Sequence, residues 1–232
     1  MIGLKYAFAM KAVILVLAAL TLSLAQPARA APITIDFENL PSLPAQPNNF
    51  AAAGPMQTYN SPGIFTINGG VVLGNPTFLA AFPVHGSPPN LYGTADFADP
   101  SLLSTITLTL PSAEDIGSVT GVLFNGQPIP ESYRVDAFSG AALVASQTFT
   151  NMAADNSPSG FGNFSLASNA ANPITRVTVT TPNASINGWD FFVDTITITA
   201  AVTGVPEPGT FLLLGSSFAG LVAAHRWRHR RK

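Results

Sequence analysis

Cysteine is absent from this 232-residue chain, and charged side chains are scarce. The lack of thiols excludes disulfide bonds, cysteine-bound zinc and thiol catalysis. Basic residues are almost missing from positions 31–204, where eleven acidic residues face only Arg134 and Arg176, a net charge of −9. Because the phosphates of nucleic acids require Lys and Arg, this stretch is not expected to bind nucleic acid.

Recognisable catalytic motifs are also missing. His85 is the only histidine in positions 31–204, and it lies in a Pro- and Gly-rich segment. No Gly-x-Ser-x-Gly elbow, His-Glu-x-x-His helix or Gly-rich phosphate loop occurs in the chain. Glu114 and Asp115 are adjacent, so their side chains point apart on a strand, although distant acids can still meet in three dimensions as a glycosidase pair. We therefore predict a protein that is not an enzyme, with glycan hydrolysis as the less favoured alternative.

The N-terminus has the layout of a secretory signal peptide over residues 1–30. Lys5 and Lys11 form a basic region, residues 12–24 are apolar, and Ala28 and Ala30 form an A-x-A cleavage site. Signal peptidase and the export machinery are thus the first expected partners, and the mature chain should begin at Ala31. The alternative is an uncleaved N-terminal membrane helix.

The C-terminus, residues 205–232, combines a short polar motif, an apolar stretch and a basic end. Val205-Pro206-Glu207-Pro208-Gly209 precedes the apolar residues 210–224, which we predict to be a transmembrane helix. The apolar stretch is short against the roughly 20 residues that span a bilayer, but arginine stems and Trp227 can extend it. The basic end, 225–232, should stay in the cytoplasm and stop transfer through Arg226, Arg228, Arg230, Arg231 and Lys232.

This order of segments resembles the PEP-CTERM tail, in which a Pro-Glu-Pro motif precedes a membrane helix and an Arg-rich end. The resemblance implies that an exosortase-type membrane protease recognises Pro206, Glu207 and Pro208 and cuts near them. The apolar helix would then be a transient anchor, and the product would reach the cell surface or an extracellular polysaccharide matrix. The alternative is a plain C-terminal anchor that is never cut.

Positions 31–204 show the periodicity of β-strands. Ser104-Thr105-Ile106-Thr107-Leu108-Thr109-Leu110 alternates hydroxyl and apolar residues, as a half-buried strand does. Similar segments are predicted at 33–37, 63–67, 118–124, 132–138, 143–149, 174–181 and 189–199, with turns at Asn125-Gly126 and Ser139-Gly140. Residues 38–62 and 83–101 read as loops, the former with a first strand as the alternative. The sequence therefore predicts an all-β, antiparallel two-sheet sandwich as one exported domain.

The domain opens with Ile35-Asp36-Phe37-Glu38-Asn39-Leu40-Pro41 and closes with Phe192-Val193-Asp194-Thr195-Ile196-Thr197-Ile198. These segments resemble the framing strands of jelly-roll carbohydrate-binding modules, and the resemblance implies that acids near the strand ends bind structural calcium. Asp194 shares strand parity with Ile196 and Ile198, which predicts a carboxylate pointing to the core. A buried carboxylate needs a partner, and Ca²⁺ with Glu38 as a second ligand is one solution. The alternative is that Asp194 caps a turn or meets water.

Sugar binding would need an exposed aromatic platform, and Trp189 is the only tryptophan in the exported domain. It stands beside Asn187 and Asp190, which makes it the candidate ligand-binding residue, although a core position at the start of the last strand is the favoured interpretation. We expect the exported domain to be a non-catalytic structural or binding component of the polysaccharide-rich surface. A carbohydrate-binding module is the alternative.

Overall fold

A computed structural model describes most of the exported region and two residues of the C-terminal tail. The described residues are 31–38, 43–44, 57–61, 64–74, 76–95, 104–111, 115–182, 188–201, 217 and 220. Within them the strands are β1 (Ile33–Ile35), β2 (Leu43–Pro44), β3 (Gln57–Ser61), β4 (Phe65–Gly74), β5 (Asn90–Thr94), β6 (Thr105–Thr109), β7 (Ile116–Asn125), β8 (Glu131–Ser139), β9 (Ala142–Met152), β10 (Phe161–Ala167), β11 (Arg176–Thr180) and β12 (Phe191–Ala200). A single helical turn, Phe82–His85, precedes β5.

The strands follow one path, β10-β7-β12-β5-β4-β6-β11-β8-β9, with antiparallel pairing between neighbours. β1 pairs with β12, β3 with β4, and the short β2 runs parallel to β4. We call the part containing β10, β7, β12, β5 and the end of β4 sheet I. Sheet II contains the start of β4 with β3, β6, β11, β8 and β9. The expected all-β antiparallel architecture is confirmed, and its two sheets share a strand instead of being separate.

Strand β4 passes from one sheet to the other at Gly69 and Gly70. Its first half pairs with β6 and its second half with β5. Gly69 has a φ of +98°, and a Cβ there would lie 2.0 Å from the carbonyl oxygen of Thr105. A Cβ on Gly70 would lie 2.3 Å from the carbonyl oxygen of Gly93. Only glycine fits at this crossing, because the neighbouring backbones occupy the space of any side chain.

The other ends of the path, β9 and β10, meet through a side chain. The Gln147 amide nitrogen donates to the carbonyl oxygen of Asn163 at 3.0 Å, and its carbonyl oxygen accepts from the Ser165 amide at 2.9 Å. The glutamine thus fills both bonding positions that a strand partner would use, and it makes the structure nearly barrel-like. The predicted Ser139-Gly140 turn lies between β8 and β9 and is confirmed, with Gly140 at a φ of +58°.

Two apolar clusters hold the sheets. The central core lies between sheets I and II and includes Ile67, Ile106, Val119, Val135, Val177, Val193 and Ile198. The outer core lies on the opposite face of sheet I, under the segment 76–89, and consists of Val71, Leu73, Leu79, Ala81, Phe82, Leu91, Ala95, Val122, Phe124, Trp189 and Phe192. The part of sheet I around β5 is therefore covered on both faces. Residues 30–201 form one compact unit.

Four strands were not identified from the sequence. β5 lies in the stretch 83–101, which was expected to be a loop, and β2 and β3 lie in the stretch 38–62, which was expected to be a loop with a first strand as the alternative. β10 was not identified at all. Every residue of β5 is buried, so its sequence Asn-Leu-Tyr-Gly-Thr has no polar alternation. A strand covered on both faces loses the period-two pattern by which strands are identified.

Candidate functional site

Asp194 lies at the point where β12 meets the segment that precedes β5. Its carboxylate is fully buried. The Ser87 amide donates to Oδ2 at 2.6 Å, the Ser87 hydroxyl lies 3.2 Å from Oδ1 and 3.1 Å from Oδ2, and the Thr195 hydroxyl lies 3.3 Å from Oδ2. Burial raises the pKa of Asp194 to about 7, although these hydrogen bonds act in the opposite direction. The group therefore changes charge near neutral pH.

The burial of Asp194 is confirmed, but the predicted direction is wrong. Phe191, Val193, Ile196 and Ile198 all face the central core, whereas Asp194 contacts Ser87 on the outer-core side of sheet I. The reason is a β-bulge, because β12 has one more residue than β7 between the pairs at Asp194 and Thr197. Thr195 takes a φ of +49° there. A single inserted residue reverses strand parity, so parity counted back from Ile198 fails at Asp194.

Glu38, the second predicted calcium ligand, contacts the same segment between the helical turn and β5, but at Asn90 instead of Ser87. Its side-chain Oε1 accepts from the Asn90 amide at 3.0 Å. The Asn90 side chain donates to the carbonyl oxygen of Phe37 at 3.0 Å. The carboxylates of Glu38 and Asp194 therefore fix the two ends of residues 87–90. This segment, rather than a sheet surface, joins the first and last strands of the domain at this end.

These contacts bear on the predicted calcium site without deciding it. Within the described part of the chain, no group of three or more His, Cys, Asp or Glu residues is placed to hold a metal. Calcium accepts carbonyl, amide and hydroxyl oxygens as well as carboxylates. Ser87 and Asn90 supply such oxygens beside Asp194 and Glu38. A structural Ca²⁺ at Glu38 and Asp194 therefore stays a prediction.

The structure does not support the predicted ligand-binding role of Trp189. Its side chain is only 1% exposed, and its ring lies 5.7 Å from that of Phe192 inside the outer core. A buried indole has no free face on which a sugar ring can stack. The structure therefore supports the favoured interpretation, in which Trp189 is a core residue at the entrance to β12.

A buried polar network next to Trp189 was not predicted. The Asn125 amide nitrogen donates to the carbonyl oxygens of Ile129, Met152 and Ala153 at 2.8–3.2 Å. Its carbonyl oxygen accepts from the Tyr133 hydroxyl at 2.6 Å. Burial raises the pKa of Tyr133 well above its usual range, so the phenol stays protonated and donates. Asn125 was recognised only as part of a turn, and its network ties three loops at one end of the domain.

The histidine and the acidic pair form no catalytic arrangement that the structure describes. The ring of His85 stacks on that of Phe161, with centroids 3.5 Å apart, so its position is explained by packing. Glu114 lies outside the described residues, whereas Asp115 is described. Arg134, one of the two basic residues of the domain, pairs with Asp136 on the same strand at 2.8 Å.

The predicted processing sites lie outside the described residues. This applies to Ala28 and Ala30, to Pro206, Glu207 and Pro208, and to the stop-transfer residues Arg226, Arg228, Arg230, Arg231 and Lys232. Ser217 and Gly220 are the described residues of the tail, and both are helical. Among the described residues we find no helix with the length and apolarity that a membrane crossing needs.

The tail is nevertheless assigned by comparison, because residues 204–231 match the family model described as "PEP-CTERM protein-sorting motif". The chain carries a PEP-CTERM sorting motif. This motif implies export, a membrane-anchored intermediate and processing by an exosortase-type membrane enzyme. It covers the tail alone and says nothing about the ligand of residues 31–204.

Solved structures similar to the exported domain include an adhesin domain and carbohydrate-binding modules. The K2 cleaved adhesin domain of Lys-gingipain is 16% identical, with 73% of this chain and 98% of that chain covered and a TM-score of 0.44. CBM29_1, a family 29 carbohydrate-binding module from Piromyces equi, is 11% identical, with 74% and 93% covered and a TM-score of 0.34. TmCBM61, solved with β-1,4-galactotriose, is 10% identical, with 68% and 98% covered and a TM-score of 0.32. No curated protein matches the chain. Likenesses this remote assign no ligand or activity.

Proposed function

We propose that residues 31–204 are a non-catalytic structural or binding component of the cell surface or of an extracellular polysaccharide matrix. An exosortase-type enzyme delivers the domain there by removing the tail. The observation that carries the proposal is the sorting motif at 204–231, with its Pro206-Glu207-Pro208 core and basic end. The acidic, nearly lysine- and arginine-free domain agrees with it, because such a surface favours neutral glycans over anionic polymers.

The test is the intact mass and location of the protein in its own host, for wild type and Glu207→Ala. Wild type should be recovered outside the cytoplasmic membrane without residues 1–30 and without the tail. Glu207→Ala should keep residues 225–232 and remain in the membrane fraction. Glu131→Ala, the same change at the start of β8, is the matched control and should be processed like wild type. If wild type also keeps its basic end, the tail is only an anchor and the matrix role is lost.

Calcium is a separate part of the proposal, favoured by the approach of Glu38 and Asp194 to residues 87–90. Millimolar Ca²⁺ should raise the unfolding temperature of the full chain at pH 8, and Mg²⁺ should not, because calcium accepts irregular oxygen coordination more readily. Glu38→Gln should abolish the increase. An unfolding temperature that does not change with Ca²⁺ would exclude the site.

A further inference from the structure

The outward face of sheet II is rich in uncharged hydroxyl groups. On β6, β11 and the start of β4, apolar residues face the central core and their neighbours face solvent. The outward residues are in register across the strands, with Thr66 opposite Thr109, Asn68 opposite Thr107, Thr107 opposite Thr178 and Thr105 opposite Thr180. We call the outward side chains of Thr66, Asn68, Thr105, Thr107, Thr109, Thr178 and Thr180 the hydroxyl face. No second layer of described residues covers them.

The charge of sheet II differs from that of the domain as a whole. Both basic residues of positions 31–204, Arg134 and Arg176, lie on its outward side. Arg134 pairs with Asp136, and the Arg176 guanidinium lies 4.4 Å from the centre of the Phe138 ring. Within the described strands of this sheet, Asp136 is the acidic residue on that side. An almost neutral face on a domain of net charge −9 offers little electrostatic attraction to an anionic or a cationic ligand.

A shallow depression lies at the edge of the hydroxyl face, where β3, β4 and β6 meet. Its volume is about 170 Å³. The polar groups that line it are the side chains of Asn60, Ser61, Thr66 and Thr109, and its apolar groups include Ile64 and Leu110. The Thr66 hydroxyl donates to Oδ1 of Asn60 at 3.3 Å, which places the two side chains next to each other.

The lining of this depression has the chemistry of a neutral sugar site. No ionisable side chain lines it, which disfavours a phosphate, a carboxylate or an amine as ligand. Hydroxyl and amide groups can exchange hydrogen bonds with sugar hydroxyls, and the aliphatic surface can pack on the C–H face of a ring. The volume is below the roughly 300–1,000 Å³ of pockets for drug-sized molecules, so the depression holds one ring of a longer chain rather than a whole oligosaccharide.

We infer that this depression binds one residue of a neutral polysaccharide, whose chain continues across the hydroxyl face. The inference rests on the proposed function, because it names the partner that holds the domain in the matrix. The binding residues are Asn60, Thr66 and Thr109.

Affinity electrophoresis tests the inference directly. The full chain, solubilised in a neutral detergent, is run in native gels that contain hydroxyethylcellulose, galactomannan, dextran, the neutral polysaccharide fraction of its own host, or alginate as the anionic comparison. Retardation is expected in at least one of the neutral gels and not in alginate. No retardation in any neutral gel, or the strongest retardation in alginate, overturns the inference.

A pair of matched double variants locates the site. Thr66→Val/Thr109→Val removes two hydroxyls from the depression and keeps β-branched side chains in the strands. Thr34→Val/Thr197→Val removes an exposed hydroxyl pair on sheet I, where the two oxygens lie 3.2 Å apart. The first variant should weaken binding at least about fivefold, since two hydrogen bonds are lost, and the second should leave it unchanged. Equal effects of the two variants, or an unchanged affinity of the first, would remove the site, provided that both keep the wild-type unfolding temperature.

Expression in the host separates this inference from the sorting proposal. The Thr66→Val/Thr109→Val protein should be processed to the same mass as wild type, but should be recovered in the medium rather than in the sedimented polysaccharide. A protein that is processed normally and stays in the polysaccharide overturns the binding site and leaves the sorting proposal intact. A wild-type protein that is never processed overturns the sorting proposal, and gel retardation still decides the binding site.

Discussion

Sheet I and sheet II are built from the same kind of strand but differ in what covers them. Sheet I has the central core on one face and the outer core on the other, so β5 is buried at every residue. Sheet II has the central core on one face and solvent on the other, so β6 alternates buried and accessible residues. Sheet I therefore contributes packing on two faces, whereas sheet II leaves one face accessible to solvent.

The same difference in burial distinguishes Trp189 from the threonine residues of sheet II. The aromatic residue chosen as a sugar platform, Trp189, is part of the doubly covered sheet. The threonine residues whose alternation predicted the strands form the exposed hydroxyl face of sheet II. The exposed surface of sheet II is thus rich in threonine, whereas the single tryptophan of residues 31–204 is buried.

The largest expected effect is at the crossing between the sheets. Gly69→Ala should lower the free energy of unfolding by more than about 4 kcal/mol, because its Cβ meets the Thr105 carbonyl in a left-handed conformation. Gly140→Ala is the matched control, since Gly140 also has a positive φ but nothing within 4 Å of an added Cβ. It should cost only about 1 kcal/mol. Urea unfolding of both variants measures the difference, and similar costs would refute the tight crossing.

Trp189→Ala should come next, with a loss of roughly 3–5 kcal/mol of stability from the cavity it leaves in the outer core. Phe138→Ala, on the outward side of sheet II, should lose less than about 1.5 kcal/mol because its ring is only partly buried. Thermal and urea unfolding give both values. If Trp189→Ala left the free energy of unfolding unchanged, Trp189 would not be a core residue and would again be a candidate sugar contact.

Asp194→Asn should remove a dependence of stability on pH. The pKa of Asp194 is about 7 in the folded chain and near 3.8 in the unfolded chain. Burial therefore favours the protonated form, and the stability present below about pH 4 is lost as pH rises towards 7. Wild type should be about 2 kcal/mol more stable at pH 5 than at pH 8, measured in Ca²⁺-free urea.

The asparagine variant provides the control for that measurement. All other side chains are the same in both proteins, so the difference between their stability profiles isolates residue 194. Asp194→Asn should show a clearly flatter profile. Parallel profiles for the two proteins would mean that Asp194 stays charged or stays neutral throughout.

The smallest effect is expected on the hydroxyl face. Thr178→Val should change the free energy of unfolding by no more than about 0.5 kcal/mol, since it replaces a solvent-facing side chain. Val179→Thr, on the same strand but inside the central core, should cost about 1–3 kcal/mol for the buried hydroxyl. Comparable losses from both would show that sheet II is covered on its outward side.

The comparison also explains which parts of the fold were predictable. Strands of sheet II, such as β6 and β11, were predicted because one of their faces is exposed to solvent. Threonine therefore alternates with valine, isoleucine or leucine along them. β5 of sheet I was not predicted, because a strand that is buried on both faces shows no alternation of polar and apolar residues. The bulge at Asp194 and Thr195 could not be predicted either, since an inserted residue follows from the register with β7 and not from the sequence of β12.

The site was predictable to a similar degree. Burial of Asp194 followed from its position in an apolar strand, whereas its partner Ser87 is 107 residues away and carries no local signal. The depression on sheet II needs three strands to meet, so none of its residues stood out alone. The sorting motif was recognised from the sequence alone, because a Pro-Glu-Pro motif, an apolar stretch and a basic end are linear features.

The position of β12 has a consequence for the order of events during export. β12 is the last strand to be synthesised, yet it lies inside sheet I and pairs with β1, β5 and β7. β1 therefore cannot form its pairing until β12 is present, because Ile33 pairs with Ile198. The sheet cannot close until residues 191–200 have crossed the membrane. In the proposed sorting route, the tail would hold the chain at the bilayer during that step, and the domain would fold before the tail is removed.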